Sequence, residues 1–410
     1  MVQRVRILAA LILTYMLFGI LLNSVGTVIL QAIATMGQSK VDAALLEAFK
    51  DLPIAVTSFV VASFLPRLGY RRAMMLGTGA VALTCALVPI FPTFGTIKVL
   101  FAVTGIAFAL VKVSVYSTIG LIAQDSARHA SILNLIEGMF MVGVLSGYWL
   151  FGAFIDPLDP EGLDWVDVYW LLGAISAGIV LLLAITPLDE SGAVRPASRP
   201  AEDFYAMLLL VARPLVMVYV ISAFLYVLVE QAIGSWLPTF NREVLHLPAV
   251  MSIQAASIFA ASLAIGRLGA SAILTRIGWY PLVNACLVGV AVLMILILPL
   301  AEGLRPDPEM GWTNAPAAAL VLPLIGLFLA PIYPAINSAM LSALPKPDHA
   351  AMTGLLVVFS ALGGTTGSFV TGHMFAALGG QAAFYLSLAP LSLLLLALAI
   401  FRRIDGRIRA

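Results

Sequence analysis

Charge is what this sequence has least of. Lys, Arg, Asp and Glu make up 10% of its 410 residues against 61% hydrophobic residues, and the mean hydropathy is +1.05. A soluble domain carries about 25% charged residues, so too few polar side chains are present to cover a globule in water. Cytosolic enzymes, nucleic-acid binders and disordered scaffolds are excluded on that ground. The net charge of +1 points to no polyanionic partner. Cysteine is also scarce: Cys85 and Cys286 lie far apart inside apolar stretches, which fits packing thiols rather than a disulfide or a metal site. His129, His246, His349 and His373 fall in different segments without ligand spacing, so no metal and no cofactor are expected. No phosphate-cradling Gly-x-x-x-x-Gly-Lys-Ser/Thr loop is present, which speaks against ATP-driven pumping. No clustered nucleophile and base marks an enzyme.

What the chain has is long apolar runs. A bilayer core of about 30 Å needs about 20 mostly apolar residues. Twelve runs reach that length, over 7–35, 43–66, 72–92, 97–124, 130–154, 167–187, 212–239, 249–274, 280–300, 316–344, 349–376 and 382–401. The expected fold is an all-α membrane protein of twelve transmembrane helices. The first run is too long for a signal-peptide core and no cleavage site closes it. With the N-terminus inside, sixteen of the 22 lysines and arginines fall on the cytoplasmic side, Arg67, Arg71, Arg72 and Arg267 among them. Lys40, Lys98, Arg242 and Arg305 fall outside. Both termini are therefore expected in the cytoplasm, and the chain in a bacterial inner membrane.

The polar segment 188–211, with Asp189, Glu190, Arg195, Pro196, Arg199, Pro200, Glu202 and Asp203, separates six spans from six. The expected domains are an N-terminal bundle over 1–187, a cytoplasmic linker, and a C-terminal bundle over 212–410. A duplication shows after the second span of each half, where Arg67-Leu68-Gly69-Tyr70 and Arg276-Ile277-Gly278-Trp279 share the form Arg-x-Gly-aromatic. These loops resemble the signature of the major facilitator superfamily between helices 2 and 3 and between 8 and 9. Pro66 and Thr275 replace the signature's aspartate, and Ala62 and Ser271 its first glycine. Within that superfamily, four segments resemble the fucose permease branch of sugar–proton symporters. They are Gly266-Arg267-Leu268-Gly269, the run from Ala330 to Asn337, the run from Phe359 to Gly364, and helix 7 with Tyr226, Glu230, Gln231, Ser235 and Trp236. The resemblance implies two six-helix bundles, a central cavity lined by helices 1, 4, 7 and 10, and a rocking cycle. In that branch a proton-linked glutamate stands at about the helix 4 position that Lys112 fills here, and the acid of helix 1 has no counterpart, since Asn23 and Ser24 stand there.

A charge at bilayer depth costs roughly 2.5–3.5 kcal/mol on insertion scales, which makes each one a functional candidate. Glu47, Lys50 and Asp51 share one face of helix 2 near its outer end, where a solvated, salt-bridged mouth is one reading and proton coupling through Asp51 the other. Lys112 lies near mid-membrane in helix 4, and Glu137 in helix 5 is its nearest expected counter-ion. That lysine either pairs with Glu137 structurally or handles substrate or protons, and an anionic solute such as a sugar acid would suit it. Glu230 is the mid-span acid of the second half and, with Glu137 and Asp51, a proton-coupling candidate. Asn23, Asn134, Gln231, Trp236, Gln254, Tyr333 and Asn337, with the Thr365–Thr366 pair, are expected to supply hydrogen bonds to a hydroxylated solute. Gly143 and Gly147, and Gly363 and Gly367, form Gly-x-x-x-Gly spacings that serve either sliding between bundles or tight static packing. Pro331 and Pro334 are expected to loosen helix 10.

These residues together point to a monomeric secondary transporter in contact with membrane lipid. It would move a small sugar-like or sugar-acid-like solute with protons by alternating access. A proton-driven efflux antiporter is the alternative, disfavoured because the run from Gly143 to Gly147 has no proline; a non-transporting membrane receptor is the other.

Overall fold

The computed structural model describes residues 2–123, 126–190, 209–307, 309–345 and 349–409. Most of the expected linker, with Arg195, Pro196, Arg199, Pro200, Glu202 and Asp203, lies outside the described residues, as does Lys346. The side chains of Arg4, Ala62, Pro66, Arg67, Ser271, Thr275, Arg407 and Arg409 lie outside them too. All regular structure among the described residues is helical. In chain order the α-helices are α1 Val2–Asn23, α2 Val25–Met36, α3 Lys40–Leu68, α4 Tyr70–Ile90, α5 Phe94–Ile122, α6 Ser126–Ala153, α7 Val168–Ala184, α8 Pro214–Gly234, α9 Leu237–Glu243, α10 Ala249–Ile277, α11 Trp279–Ile297, α12 Ala317–Val321, α13 Ile325–Leu329, α14 Ile332–Ala343, α15 His349–Leu378, α16 Gly380–Leu386 and α17 Leu388–Arg409.

Among the described residues eleven helices are long and apolar enough by composition to cross a membrane, and α2 is a shorter apolar helix. The α3 helix, 29 residues long, carries Asp42, Glu47, Lys50 and Asp51 in its first half and a largely apolar second half. Sequence punctuation sets the breaks. The first expected span is cut at Ser24, whose hydroxyl donates back to Leu21 O at 2.8 Å. The tenth is cut at Ala330 and Pro331, as the missing backbone donor of proline requires. Thr93 caps α5 by accepting from Thr96 N at 3.2 Å. Both copies of the Arg-x-Gly-aromatic loop turn on a glycine with positive φ, 90° at Gly69 and 76° at Gly278, a conformation that costs a side-chain-bearing residue.

The chain divides into two compact units, Met1–Val25 with Phe49–Glu202, and Gly26–Ala48 with Asp203–Ala410. In the first unit α4 packs on α5 and α7, and α1 on α6. A buried cluster of Val61, Leu65, Tyr70 and Ala73 is covered by Leu110, Val113, Leu121 and Leu188. Glu190 reaches back across the sequence to α4, accepting from Tyr70 N and Arg71 N at 2.9 Å each, while Arg71 Nη1 donates to Thr186 O at 3.3 Å. In the second unit α8 packs on α15 and α17, and α10 on α13. The glycine pairs serve contacts inside each unit. A Cβ on Gly143 would stand 3.0 Å from Met16 Cα and C, and one on Gly367 2.9 Å from the same atoms of Leu228, so α6 meets α1, and α15 meets α8, backbone to backbone. Leucines such as Leu83, Leu181 and Leu378 point outward, as helices solvated by lipid require. Cys85 and Cys286 are buried free thiols, as their apolar surroundings predict.

Candidate substrate and coupling sites

The first unit gathers its polar chemistry on α5 and α6. Lys112 follows four residues after Phe108 and precedes Tyr116 by four, so all three share one helix face; its ammonium lies 5.8 and 6.0 Å from their ring centroids. Tyr116 donates to Glu137 Oε1 at 2.5 Å. Tyr15 of α1 packs its ring against Phe108, Tyr116 and Phe140, and its buried hydroxyl has no hydrogen-bond partner among the described residues. Glu137 is near enough to act on Lys112 electrostatically, yet no ion pair within 4.0 Å joins the two. The expected structural Lys112–Glu137 bridge is therefore absent, because the carboxylate is held by the phenol one helical turn further along. Lys112 is exposed, Asn134 is exposed one turn before Glu137, and Glu137 is half-buried.

The second unit carries a longer polar array. Tyr219 donates to Asn337 Oδ1 at 2.5 Å, Tyr226 to Glu230 Oε1 at 3.0 Å, and the Tyr333 and Ser360 hydroxyls stand 3.0 Å apart. The Tyr226 and Tyr333 rings stack at 5.4 Å between centroids. Arg267 Nη2 stands 4.0 Å from Glu230 Oε1, a loose ion pair whose arginine side chain is 49% exposed and whose glutamate is 19% exposed. Arg267, expected from the sequence as a cytoplasmic anchor, lies within α10 and stands beside Glu230.

Other expected residues are committed elsewhere. Asn23 donates to Gly19 O of its own helix at 3.0 Å. Gln231 accepts from Ser235 at 3.3 Å, and Ser235 also donates to Glu47 Oε2 at 3.1 Å. Trp236 is fully buried, stacked on Phe375, with its N–H donating to Ser368 O and Oγ at 3.1 Å. Gln254 is half-buried on α10. Asp51 pairs with Lys50 at 3.4 Å, and Lys50 reaches Leu22 O at 3.5 Å. Glu47, Lys50 and Asp51 are all buried, so the solvated-mouth reading of helix 2 does not hold. His373 packs its ring against Phe369. Missed from the sequence were Arg267 as a pair for Glu230, and Tyr15, Tyr116, Tyr219 and Ser360. A tyrosine four residues from a charge within an apolar helix, as in Lys112–Tyr116 and Tyr226–Glu230, is the signal that points to such partners.

A helical chain whose charged and aromatic hydroxyl side chains meet within apolar helices of spanning length is a multi-pass membrane protein with polar chemistry at bilayer depth. The chain belongs to the Major Facilitator Superfamily, whose family model matches residues 7–306. It is thus a transporter and an integral membrane protein, with the superfamily's twelve-helix fold. Among solved structures it is similar to the nucleoside transporter NupG, at 14% identity and a TM-score of 0.75, covering 98% of this chain and 99% of that one. It is also similar to a bacterial homologue of the human lysosomal transporter Spinster in an inward-facing, unoccupied conformation, at 16% identity and a TM-score of 0.74, covering 99% and 97%. The transporter FucP in its outward conformation matches at 17% identity and a TM-score of 0.61, covering 97% and 98%. At these identities the likeness establishes the fold. No curated protein matches the chain in sequence.

Proposed function

We propose that this protein is a secondary transporter that takes up a small hydroxylated solute, a sugar or a sugar acid, by alternating access with protons. It works as a monomer in a bacterial inner membrane, with both termini cytoplasmic and the chain organised as a bundle over 1–187, a linker over 188–211 and a bundle over 212–410. The observation that carries this function is the array of Tyr219, Tyr226, Tyr333, Glu230, Arg267, Asn337 and Ser360 in the second unit. Hydroxyl, amide and charged hydrogen-bonding groups beside aromatic faces are what a polar ring with apolar C–H faces requires, since an unmatched buried polar group is costly on either side. Gln254 is proposed to extend this array within the second unit and Asn134 to serve the solute from the first, while Asn23, Gln231 and Trp236, expected from the sequence as solute contacts, are spent on internal contacts; Asp51, Glu137 and Glu230 are the carboxylates available for proton exchange. NupG, named as a nucleoside transporter, handles a solute that contains a sugar ring.

Purified protein in proteoliposomes, offered labelled neutral sugars and sugar acids with and without an inward proton gradient, should accumulate at least one of them only when the gradient is present. Accumulation of none under any gradient would overturn the proposal. Gradient-driven expulsion of a preloaded solute would assign antiport instead.

A further inference from the structure

Of the three membrane-embedded carboxylates available for proton exchange, two stand beside a cation. Asp51 lies 3.4 Å from Lys50, and Glu230 lies 4.0 Å from Arg267. Glu137 alone is held by a neutral group, the Tyr116 hydroxyl at 2.5 Å. Its natural counter-ion, Lys112, is left exposed with no carboxylate within 4.0 Å among the described residues. A cation at this depth that faced lipid would be expensive, and Lys112 shares its helix face with Tyr116, which hydrogen-bonds Glu137. That face is therefore polar, and the ammonium is open to a solute.

We infer that Lys112 anchors a carboxylate of the transported solute and that Glu137 takes up the compensating proton, so that the cargo is a sugar acid carried as an anion together with one proton. It rests on the transporter function proposed above and narrows its substrate. The charge count supports it. Lys112 and Glu137 together sum to zero, so the empty site is balanced. One bound carboxylate adds one negative charge in a poorly polarisable setting, flanked by Phe108, Phe140 and the Tyr15 ring. One proton on Glu137 restores neutrality, and neither ligand alone does. The titratable groups facing Glu137 from the helices packed against α6 are Tyr15 of α1, and Lys112 and Tyr116 of α5. None of them supplies a second carboxylate to share the proton. Tyr15 stands beside Tyr116, with their ring centroids 6.3 Å apart.

The test compares D-glucuronate with D-glucose on the full-length protein. Wild type should bind glucuronate about 10- to 100-fold more tightly, the range expected for a charge-assisted hydrogen bond, and more tightly at acidic than at alkaline pH. Lys112→Met should weaken glucuronate by that factor and Lys112→Arg should retain it. Glu137→Gln should bind glucuronate with the same affinity at both pH values. In proteoliposomes, glucuronate uptake driven by a proton gradient should be insensitive to an imposed membrane potential, because the carried charge is zero. Equal binding of glucose and glucuronate by wild type, or an undiminished preference in Lys112→Met, overturns the inference while transport of neutral sugars would leave the transporter function standing. Binding and transport of neither solute class would sink both. The wild-type comparison and the potential test do not depend on any variant folding.

Discussion

Replacing Gly143 by alanine should destabilise the protein, while the same change five residues earlier, at Gly138, should not. Both glycines lie in α6, so intrinsic helix propensity favours alanine at both by about 1 kcal/mol. The surroundings differ. A Cβ at Gly138 meets nothing within 4 Å, whereas at Gly143 it would stand 3.0 Å from Met16 Cα and C, and nearer still to the Met16 carbonyl oxygen. Those are backbone atoms of α1, which cannot rotate aside as a side chain can, so α1 and α6 must separate along their shared length. Overpacking of a well-filled contact costs about 1–3 kcal/mol, and a backbone clash belongs at the upper end. Because the propensity gain is common to both and cancels, Gly143→Ala should lie about 2–3 kcal/mol below Gly138→Ala. At about 2–4 °C per kcal/mol this is a gap in melting temperature of about 4–12 °C, readable by intrinsic fluorescence or size-exclusion of heated samples in one detergent. Equal melting temperatures for the two variants would refute close backbone contact as the reason for glycine at position 143.

Two further outcomes follow from the polar contacts. Glu190→Ala leaves Tyr70 N and Arg71 N at the start of α4 without their acceptor, which should cost about 0.5–2 kcal/mol; Glu190→Asp should fall between the two, and wild-type stability in the alanine variant would remove the cap from consideration. Glu230→Gln should impair gradient-driven uptake, and because Glu230 contacts Arg267 and Tyr226, Arg267→Met should reproduce part of the defect; full transport by Arg267→Met would detach that arginine from the transport machinery.

The spans were legible because lipid imposes a length and a composition that any apolar run of about 20 residues displays. The Arg-x-Gly-aromatic loops were legible for the same kind of reason: Gly69 and Gly278 need positive φ, and few other residues supply it. Burial of polar residues was not legible. Whether Glu47 faces water or protein depends on Ser235, far away in sequence, and no periodicity within helix 2 reports it. The pairing of Arg267 was not legible either, because its neighbour Glu230 lies on another helix. Trp236 shows the converse case, since an indole at the end of an apolar helix reads as an exposed binding group and is instead buried against Ser368 and Phe375.

The contact between Glu190 and the start of α4 also has a meaning for how the chain is made. The acceptor for Tyr70 N lies 120 residues downstream. At about 5–20 residues per second, roughly 6–24 seconds pass between synthesis of that helix start and synthesis of the residue that satisfies it. During that interval the four helices α4 to α7 are made while the first turn of α4 has open donors. Completion of the unit is thus signalled by its own last residues: until the segment after α7 returns, α4 is unfinished, and a chain truncated before Glu190 keeps an exposed flaw that quality control can detect.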